Sequence, residues 1–249
     1  MFDHVFNDPV RSDLDVPEMK VVSQFRGSWH DWDVLELGSG DGRVAYTLGA
    51  IAKTYLGIDY SPNMVAKSQR RFGPASGRRF LLGDARDLPA EFEQSFDTVW
   101  FPFNGLDNVG LVDRRSILEQ IHRVLRPGGY FYFSTHSLHS MPFRWEWPAL
   151  RPLTLQTLAT AAQVLSEDVM MSRRSRTGDL RRAHERGWVI LRGPADFRTF
   201  YSTTKWQVAA LHESGFEVTS VMNDSGVQLS PAHRDRSESV HYLCRRPEA

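Results

Sequence analysis

The feature that most constrains the fold is a short apolar segment that runs directly into a glycine-rich turn. Residues Asp33–Leu37 have the composition of a buried strand, and Gly38, Gly40 and Gly42 follow at once. Glycine lets a backbone turn sharply and approach a ligand closely, and the amide groups that begin a following helix attract polar and anionic groups. The segment therefore predicts an α/β domain that binds a nucleoside-type ligand at this turn.

Apolar segments of strand length alternate with amphipathic segments along most of the chain, which is typical of a parallel sheet covered by helices. After Asp33–Leu37, strands are predicted at Tyr55–Ile58, Arg79–Leu82, Phe96–Phe101, Tyr130–Thr135, Phe216–Met222 and Val240–Cys244. Helices are predicted at Val44–Ala52, Ser61–Phe72, Arg114–Leu125 and Thr203–Ser214. The predicted fold is an α/β, Rossmann-like sheet of seven strands with helices on both faces.

The segment from 138 to 201 interrupts this alternation. It begins with prolines and aromatic residues, and it continues with a predicted helix at Thr154–Met171 and a predicted hairpin of Trp188–Leu191 and Phe197–Tyr201. Because the alternation resumes afterwards, we interpret it as an α+β insertion after the fifth strand of a single domain spanning 1–249. Its stretch from Arg173 to Arg192 contains seven arginines, which favour a solvated face over an anion site.

Composition and charge exclude several classes of function. Thirty Lys and Arg residues balance thirty Asp and Glu residues, so no overall field directs the chain to nucleic acid or to a membrane surface. The single cysteine, Cys244, excludes an internal disulfide and a thiolate metal cluster. No apolar stretch is long enough to cross a membrane, and the N-terminal residues lack the apolar run of a signal peptide. We expect a cytoplasmic location and no metal, with the oligomeric state left open.

Four motifs, in this order, resemble those of the class I S-adenosylmethionine-dependent methyltransferases. They are Val34–Gly42, Gly57–Met64, Gly83–Pro89 and Arg123–Gly129. The similarity covers about residues 30–136 and resumes weakly at 203–221. It implies the class I sheet of seven strands and transfer of a methyl group from S-adenosylmethionine to a small-molecule acceptor. The acceptor atom stays open, with O- or N-methylation of an anionic or sugar-type metabolite as the expectation.

The resemblance places the cofactor at the carboxyl ends of the first four strands. Glu36 and the loop Gly38–Gly42 would hold its methionine end, Asp59 its ribose and Asp84 its adenine amino group. The full set implied is Glu36, Gly38, Ser39, Gly40, Gly42, Asp59, Tyr60, Met64, Asp84, Ala85, Arg86 and Phe101. Carboxylates accept hydrogen bonds from ribose hydroxyls and exocyclic amines, so the chemistry agrees. The alternative for these acids is helix capping or pairing with arginines.

Two residues are predicted at the acceptor, because carboxyl ends of parallel strands border the ligand crevice. Asn104 follows the fourth strand, and His136 ends the fifth. A histidine near neutral pH can remove a proton from the acceptor, and the alternative for His136 is a structural turn. Residues 1–30 are expected to form a lid, and residues 138–201 the acceptor-binding part.

Two other functions compete with methyl transfer. A nucleotide-dependent oxidoreductase is disfavoured because the dinucleotide fingerprint requires glycine at position 43, where this chain has Arg43. A non-catalytic, S-adenosylmethionine-binding partner subunit would keep the same cofactor loops and lack a base. Turnover separates that alternative from an enzyme.

Overall fold

A computed structural model describes residues 14–140, 177–192, 198–230 and 236–248. The strands are β1 Asp33–Leu37, β2 Thr54–Asp59, β3 Arg78–Leu82, β4 Phe96–Phe101, β5 Leu125–Ser137, β6 Trp188–Arg192, β7 Arg198–Ser202, β8 Glu217–Asn223 and β9 Ser239–Arg245. The α-helices are α1 Val16–Gln24, α2 Leu48–Ile51, α3 Pro62–Phe72, α4 Leu111–Val124, α5 Thr177–Arg186 and α6 Thr204–Glu213. Helices and strands alternate as predicted, and the α/β fold class is confirmed.

The strands form one central sheet. Strands β3, β2, β1, β4 and β5 are parallel neighbours in that order, and β9 then runs antiparallel between β5 and β8. The hairpin β6–β7 joins β5 through pairs at His136 and Ser137. The described sheet therefore has nine strands where the sequence predicts seven, because the predicted hairpin of the insertion extends the same sheet.

Apolar side chains fill both faces of the sheet, because successive residues of a strand point to opposite sides. Leu35 belongs to one core cluster together with Ile117 of α4 and Leu211 of α6. Its neighbour Val34 belongs to a second cluster that contains Val21 of α1 and residues of α2 and α3. The predicted layer of helices on each face is thus observed, and the helices leave the carboxyl edge of the sheet to carry loops.

Two element boundaries differ from the prediction for identifiable reasons. The helix predicted at Val44–Ala52 is broken into a 3-10 turn and the short helix α2. The Arg78 side chain crosses this point, where its Nε donates to the Ala45 carbonyl at 2.9 Å and so takes an acceptor that a continuous helix would use. Strand β5 begins at Leu125, directly after α4. The predicted helix Thr154–Met171 lies outside the described residues.

Cys244 lies in β9, where it faces Phe131 of β5 on one side and Val218 of β8 on the other. The side chain is fully buried, and burial raises the pKa of its thiol. Across the described ranges, no group of three or more potential ligand side chains is arranged to hold a metal ion. None of the helices within those ranges is both long and apolar enough to cross a membrane.

Candidate functional site

The glycine-rich turn after β1 has the backbone shape that the sequence predicts. Gly38, Gly40 and Gly42 all have positive φ angles, of 63°, 56° and 89°. A side chain at Gly42 would place its Cβ 2.4 Å from the Phe72 ring, whereas a Cβ at Gly40 would meet nothing within 4 Å. The turn is therefore packed from below at Gly42 and open at Gly40. Ser39 Oγ is buried and has no hydrogen-bond partner among the described residues.

Asp59 joins the end of β2 to this turn. Its Oδ2 accepts from the Gly40 amide at 2.8 Å, and its Oδ1 accepts from the Ser61 amide at 2.8 Å. The side chain is 6% exposed, and each carboxylate oxygen has more than one acceptor position, so each can accept a further hydrogen bond such as one from a ribose hydroxyl. The two backbone contacts hold the carboxylate in one orientation beside the open part of the turn.

Apolar side chains are exposed around the same edge of the sheet. Tyr60 is 81% exposed, Met64 37% and Phe103 76%. Tyr60 and Met64 flank the start of α3, whose first turn is capped by Ser61 Oγ accepting from the Met64 amide. Large exposed apolar side chains beside polar backbone are typical of a site for a flat, partly apolar ligand.

Asp84 and Arg86 bind each other after β3. Arg86 Nη2 donates to Asp84 Oδ2 at 2.6 Å, and this hydrogen bonding lowers the pKa of the Asp84 carboxyl. The pairing with arginine that competed in the sequence analysis is thus present. The Asp84 side chain is still 43% exposed and Ala85 is half-buried, so a role of Asp84, Ala85 and Arg86 toward adenine stays a prediction.

Glu36 lies beneath the turn and not at its surface. Its carboxyl is buried, and the Tyr55 hydroxyl donates to it. Burial raises the pKa of Glu36 to about 8. Contact between this side chain and a methionine end stays a prediction.

Sequence reasoning missed the ion pair that fixes α1 beside this turn. Both terminal nitrogens of Arg43 donate to the buried Glu18 carboxylate at 2.7 Å. The Arg43 guanidinium also lies 5.4 Å from the centre of the Phe103 ring. Arg43 stands where the dinucleotide fingerprint has its third glycine, but its partner Glu18 lies 25 positions away and no local pattern joins the two residues.

The Phe101 ring connects the glycine-rich turn to the loop after β4. The ring is buried in the core, and a Cβ added to Gly38 or Gly105 would lie 2.9 Å or 2.3 Å from its Cε2 atom. Phe101 therefore shapes the site from below, and direct contact with a cofactor stays a prediction.

Asn104 and His136, the predicted acceptor residues, are brought together. Asn104 Nδ2 lies 3.3 Å from His136 Nε2, and the other ring nitrogen, Nδ1, lies 2.8 Å from Asp107 Oδ2. Asp107 is fully buried and also binds Arg114, with 2.7 Å between Oδ1 and Nη1. Asp107 and Arg114 were not predicted, because their link to His136 depends on folding of the loop and α4 onto β5.

Comparison with known proteins agrees with this architecture. The family model described as a methyltransferase domain matches residues 34–129. A malonyl-[acyl-carrier protein] O-methyltransferase from Marinomonas sp. (strain MWYL1) is 32% identical over 44% of this chain and 40% of its own length. A fatty-acid O-methyltransferase from Mycolicibacterium smegmatis is 36% identical over 52% of this chain and 46% of its own length. The chain thus spans less than half the length of these two relatives.

Solved structures match over nearly the whole chain. An S-adenosylmethionine-dependent methyltransferase from Mesorhizobium loti gives a TM-score of 0.62 at 21% identity, covering 92% of this chain and 98% of that one. The glycopeptide N-methyltransferase MtfA, complexed with S-adenosylmethionine, gives a TM-score of 0.58 at 18% identity, covering 94% and 95%. At these identities the structures establish the fold. The resemblance drawn from the sequence is confirmed: residues 34–129 match a methyltransferase-domain model, and the chain shares the fold of these solved methyltransferases.

Proposed function

We propose that this chain is an enzyme that transfers a methyl group from S-adenosylmethionine to a small-molecule acceptor. The observation that supports this most directly is Asp59, whose carboxylate is held by the Gly40 and Ser61 amides at 2.8 Å each. That arrangement orients a hydrogen-bond acceptor beside an open glycine turn, as a ribose diol requires. The family match over residues 34–129 supports the same ligand.

The described residues fit this cofactor. The open backbone at Gly40 and the unpartnered Ser39 hydroxyl suit its polar methionine end, and Tyr60 and Met64 suit its adenine. When bound, the cofactor supplies an electrophilic methyl group on a sulfonium. Methyl transfer needs little covalent help from a protein, so the chain's own residues contribute mainly alignment and proton removal.

The acceptor side is proposed to lie between the loop after β4 and strand β7 of the insertion. Asn104 and His136 border it, and Tyr201 of β7 places its ring 5.1 Å from the His136 ring. Residues 138–201 would form the acceptor-binding part, and residues 1–30 a lid that α1 anchors through Glu18 and Arg43. Both relatives reported above are named as O-methyltransferases, which supports an oxygen atom as the acceptor.

Calorimetric titration tests the cofactor. The chain should bind S-adenosylmethionine and its demethylated product but not NAD, and Asp59→Ala should weaken binding by about 1.5–3 kcal/mol because a charge-assisted hydrogen bond is lost. Asp87→Ala removes an exposed acid from the loop after β3 and serves as the matched control. Equal affinity of the folded Asp59→Ala variant and the wild type would contradict the assignment.

Turnover separates an enzyme from a partner subunit that only binds the cofactor. The full chain is incubated with S-adenosylmethionine and a panel of small alcohols, acids and amines, and release of the demethylated product is followed by mass spectrometry. Formation of any methylated acceptor that His136→Asn suppresses supports the enzyme. Cofactor binding with no methylated product across the panel favours the partner subunit.

A further inference from the structure

We propose that Asp107 is a positioning residue that fixes His136 as a proton acceptor, and that the site therefore takes an acceptor with a neutral hydroxyl rather than a carboxylate. This inference rests on the proposed methyl transfer and goes beyond it. It names the protonation state of the acceptor atom and a residue that acts through the histidine.

The Asp107 carboxylate is buried and receives four donors. Oδ1 accepts from Arg114 Nη1 at 2.7 Å and from Thr135 Oγ1 at 2.6 Å. Oδ2 accepts from the backbone amide of His136 at 2.6 Å and lies 2.8 Å from its Nδ1. The Arg114 cation and this many donors hold the Asp107 carboxylate in one orientation as a hydrogen-bond acceptor. It has no free position for a substrate, so its role acts through His136.

The contact with Asp107 fixes where the histidine ring keeps its hydrogen. The Asp107 oxygens accept hydrogen bonds in the ion pair with Arg114, so the 2.8 Å contact assigns the ring hydrogen of His136 to Nδ1. The Nε2 atom then carries no hydrogen, and its lone pair can accept a hydrogen bond or a proton. It faces the Nδ2 donor of Asn104 at 3.3 Å, a long contact that an incoming hydroxyl can replace.

Arg114 holds the Asp107–His136 pair in place. Its side chain is buried, its Nη2 donates to Gln207 Oε1 at 2.7 Å, and its guanidinium lies 4.5 Å from the centre of the Phe200 ring. Arg114 therefore ties Asp107 to α6 and β7 as well as to α4. A charged network with this many elements around it leaves Asp107 little freedom to release the histidine.

The loop that carries Asn104 is also held in an uncommon backbone conformation. Phe103 and Asn104 have φ angles of 57° and 55°, which side-chain-bearing residues rarely adopt. The Asn104 amide donates to Ser134 Oγ at 2.9 Å, and its Nδ2 donates to Ser239 Oγ at 2.9 Å. Strained backbone of this kind persists where surrounding contacts enforce it, and here it aims Asn104 at the histidine.

The chemistry then decides between acceptor classes. A carboxylate reaches the site already ionised, so a base contributes nothing to its methylation. With a hydroxyl, the O–H proton moves to Nε2, the oxygen takes the methyl group as the carbon–sulfur bond breaks, and a neutral thioether and an imidazolium remain. Because His136 is positioned to accept a proton, we infer that the reacting group of the acceptor is a hydroxyl.

The arginines near the loop after β4 also favour a hydroxyl over a carboxylate as the acceptor. Arg43 lies over the Phe103 ring and Arg114 reaches Asp107, but each binds a buried carboxylate of the protein itself, Glu18 and Asp107. Among the other described residues, Tyr201 places its ring beside the histidine and is a phenol whose pKa burial raises, and Glu238 is an acid near that phenol. This acidic and neutral setting disfavours an anionic reacting atom.

Nitrogen NMR of the full chain, labelled with ¹⁵N-histidine, tests the tautomer without an acceptor. Nine histidines give signals, and His136→Asn identifies the one in question, with His122→Asn as a control that removes a remote ring. We expect the neutral His136 ring to carry its hydrogen on Nδ1, the nitrogen that contacts Asp107. In Asp107→Asn the amide can donate to Nδ1, so the hydrogen should move to Nε2.

A second variant guards against misfolding, since Asp107→Asn alone leaves the Arg114 charge buried and unpaired. Asp107→Asn combined with Arg114→Met removes both charges and should give the same change of tautomer. Asp97→Asn, which breaks an Asp–Arg pair at the opposite edge of the sheet, should leave the His136 signals unchanged. A neutral wild-type ring that carries its hydrogen on Nε2 overturns the proposal.

Matched acceptors test the substrate class. Alcohols and carboxylic acids with the same carbon skeleton are offered with S-adenosylmethionine, and release of the demethylated product is measured. We expect methylation of alcohols only, with kcat lowered about 100- to 10,000-fold in His136→Asn while KM changes little. Methylation of the acids at a rate that His136→Asn does not change overturns this inference, whereas failure to bind S-adenosylmethionine overturns the proposed function.

Discussion

Glu36 and Asp107 are both buried carboxyl side chains near the carboxyl edge of the sheet, but their surroundings differ. Asp107 is paired with Arg114 and receives donors on both oxygens. Glu36 receives the Tyr55 hydroxyl, and burial is the main cause that disfavours its negative charge, with a smaller contribution from Glu18 and Asp59. The same residue class is therefore paired with a cation at one position, whereas at the other burial raises its pKa to about 8.

Glu36 should make the stability of the chain depend on pH. Its pKa is about 8 in the folded state, against an ordinary value near 4.5. Below the ordinary value the carboxyl is protonated in both states and its contribution to stability is fully present. As pH rises, the unfolded chain loses the proton first, so the free energy of unfolding falls until the pH passes the folded pKa.

Glu36→Gln keeps the shape of the protonated acid and should remove the decrease in the free energy of unfolding that Glu36 causes as the pH rises. In urea unfolding between about pH 5 and pH 8, we expect the variant to gain stability relative to wild type at each step, by at most about 1.4 kcal/mol per pH unit. Glu119→Gln, at an exposed position of α4, is the control and should run parallel to wild type. A Glu36→Gln curve that also runs parallel would show that the carboxyl is ionised when folded.

At the scale of elements, the glycine-rich turn and the loop after β4 are held at a fixed spacing by one ring. Phe101 lies under both Gly38 and Gly105, and neither position has room for a Cβ. The loop after β4 then carries Asn104 and Asp107 toward β5. Packing at Phe101 thus sets the distance between the cofactor side and the acceptor side of the proposed site.

Gly105→Ala should disturb this spacing. The new Cβ would lie 2.3 Å from Phe101 Cε2, so the ring or the loop must shift, at a cost of about 1–3 kcal/mol of stability. Gly110→Ala, where a Cβ meets nothing within 4 Å, is the matched control and should change stability by under about 1 kcal/mol. Urea unfolding measures both. Phe101→Leu should partly restore Gly105→Ala, and a loss that the smaller side chain does not relieve would exclude the steric explanation.

Many of the strands, helices and turns were predictable from the sequence, because strands and glycine turns are local patterns. The turn Gly38–Gly42, the acid at the end of β2 and the β6–β7 hairpin follow from residues a few positions apart. The break before α2 was not predictable, since Arg78 reaches Ala45 from a distant part of the chain. The Asp107–His136 and Glu18–Arg43 pairs were missed for the same reason, because each joins elements that meet only after folding.

At the scale of the whole molecule, different side chains lie at the carboxyl ends and at the amino ends of the parallel strands. The carboxyl edge collects Asp59, Asn104 and His136 with exposed apolar side chains around them. The opposite edge is closed by Arg126, which binds Asp97 at 2.6 Å and Asp33 at 2.9 Å and so links the starts of β4 and β1. Substitutions at the two edges should therefore separate effects on activity from effects on stability.

The burial of Cys244 between β5 and β8 makes the thiol a reporter of sheet opening. Because the chain has one cysteine, each labelling event reports the same place. A maleimide reagent should modify the native chain at least about 1,000-fold more slowly than the unfolded chain, because modification requires the strands to separate. Fast labelling of native protein would show that β9 opens locally. If protection holds, a cysteine engineered on an exposed loop can take a single fluorophore or spin label without removal of the natural one.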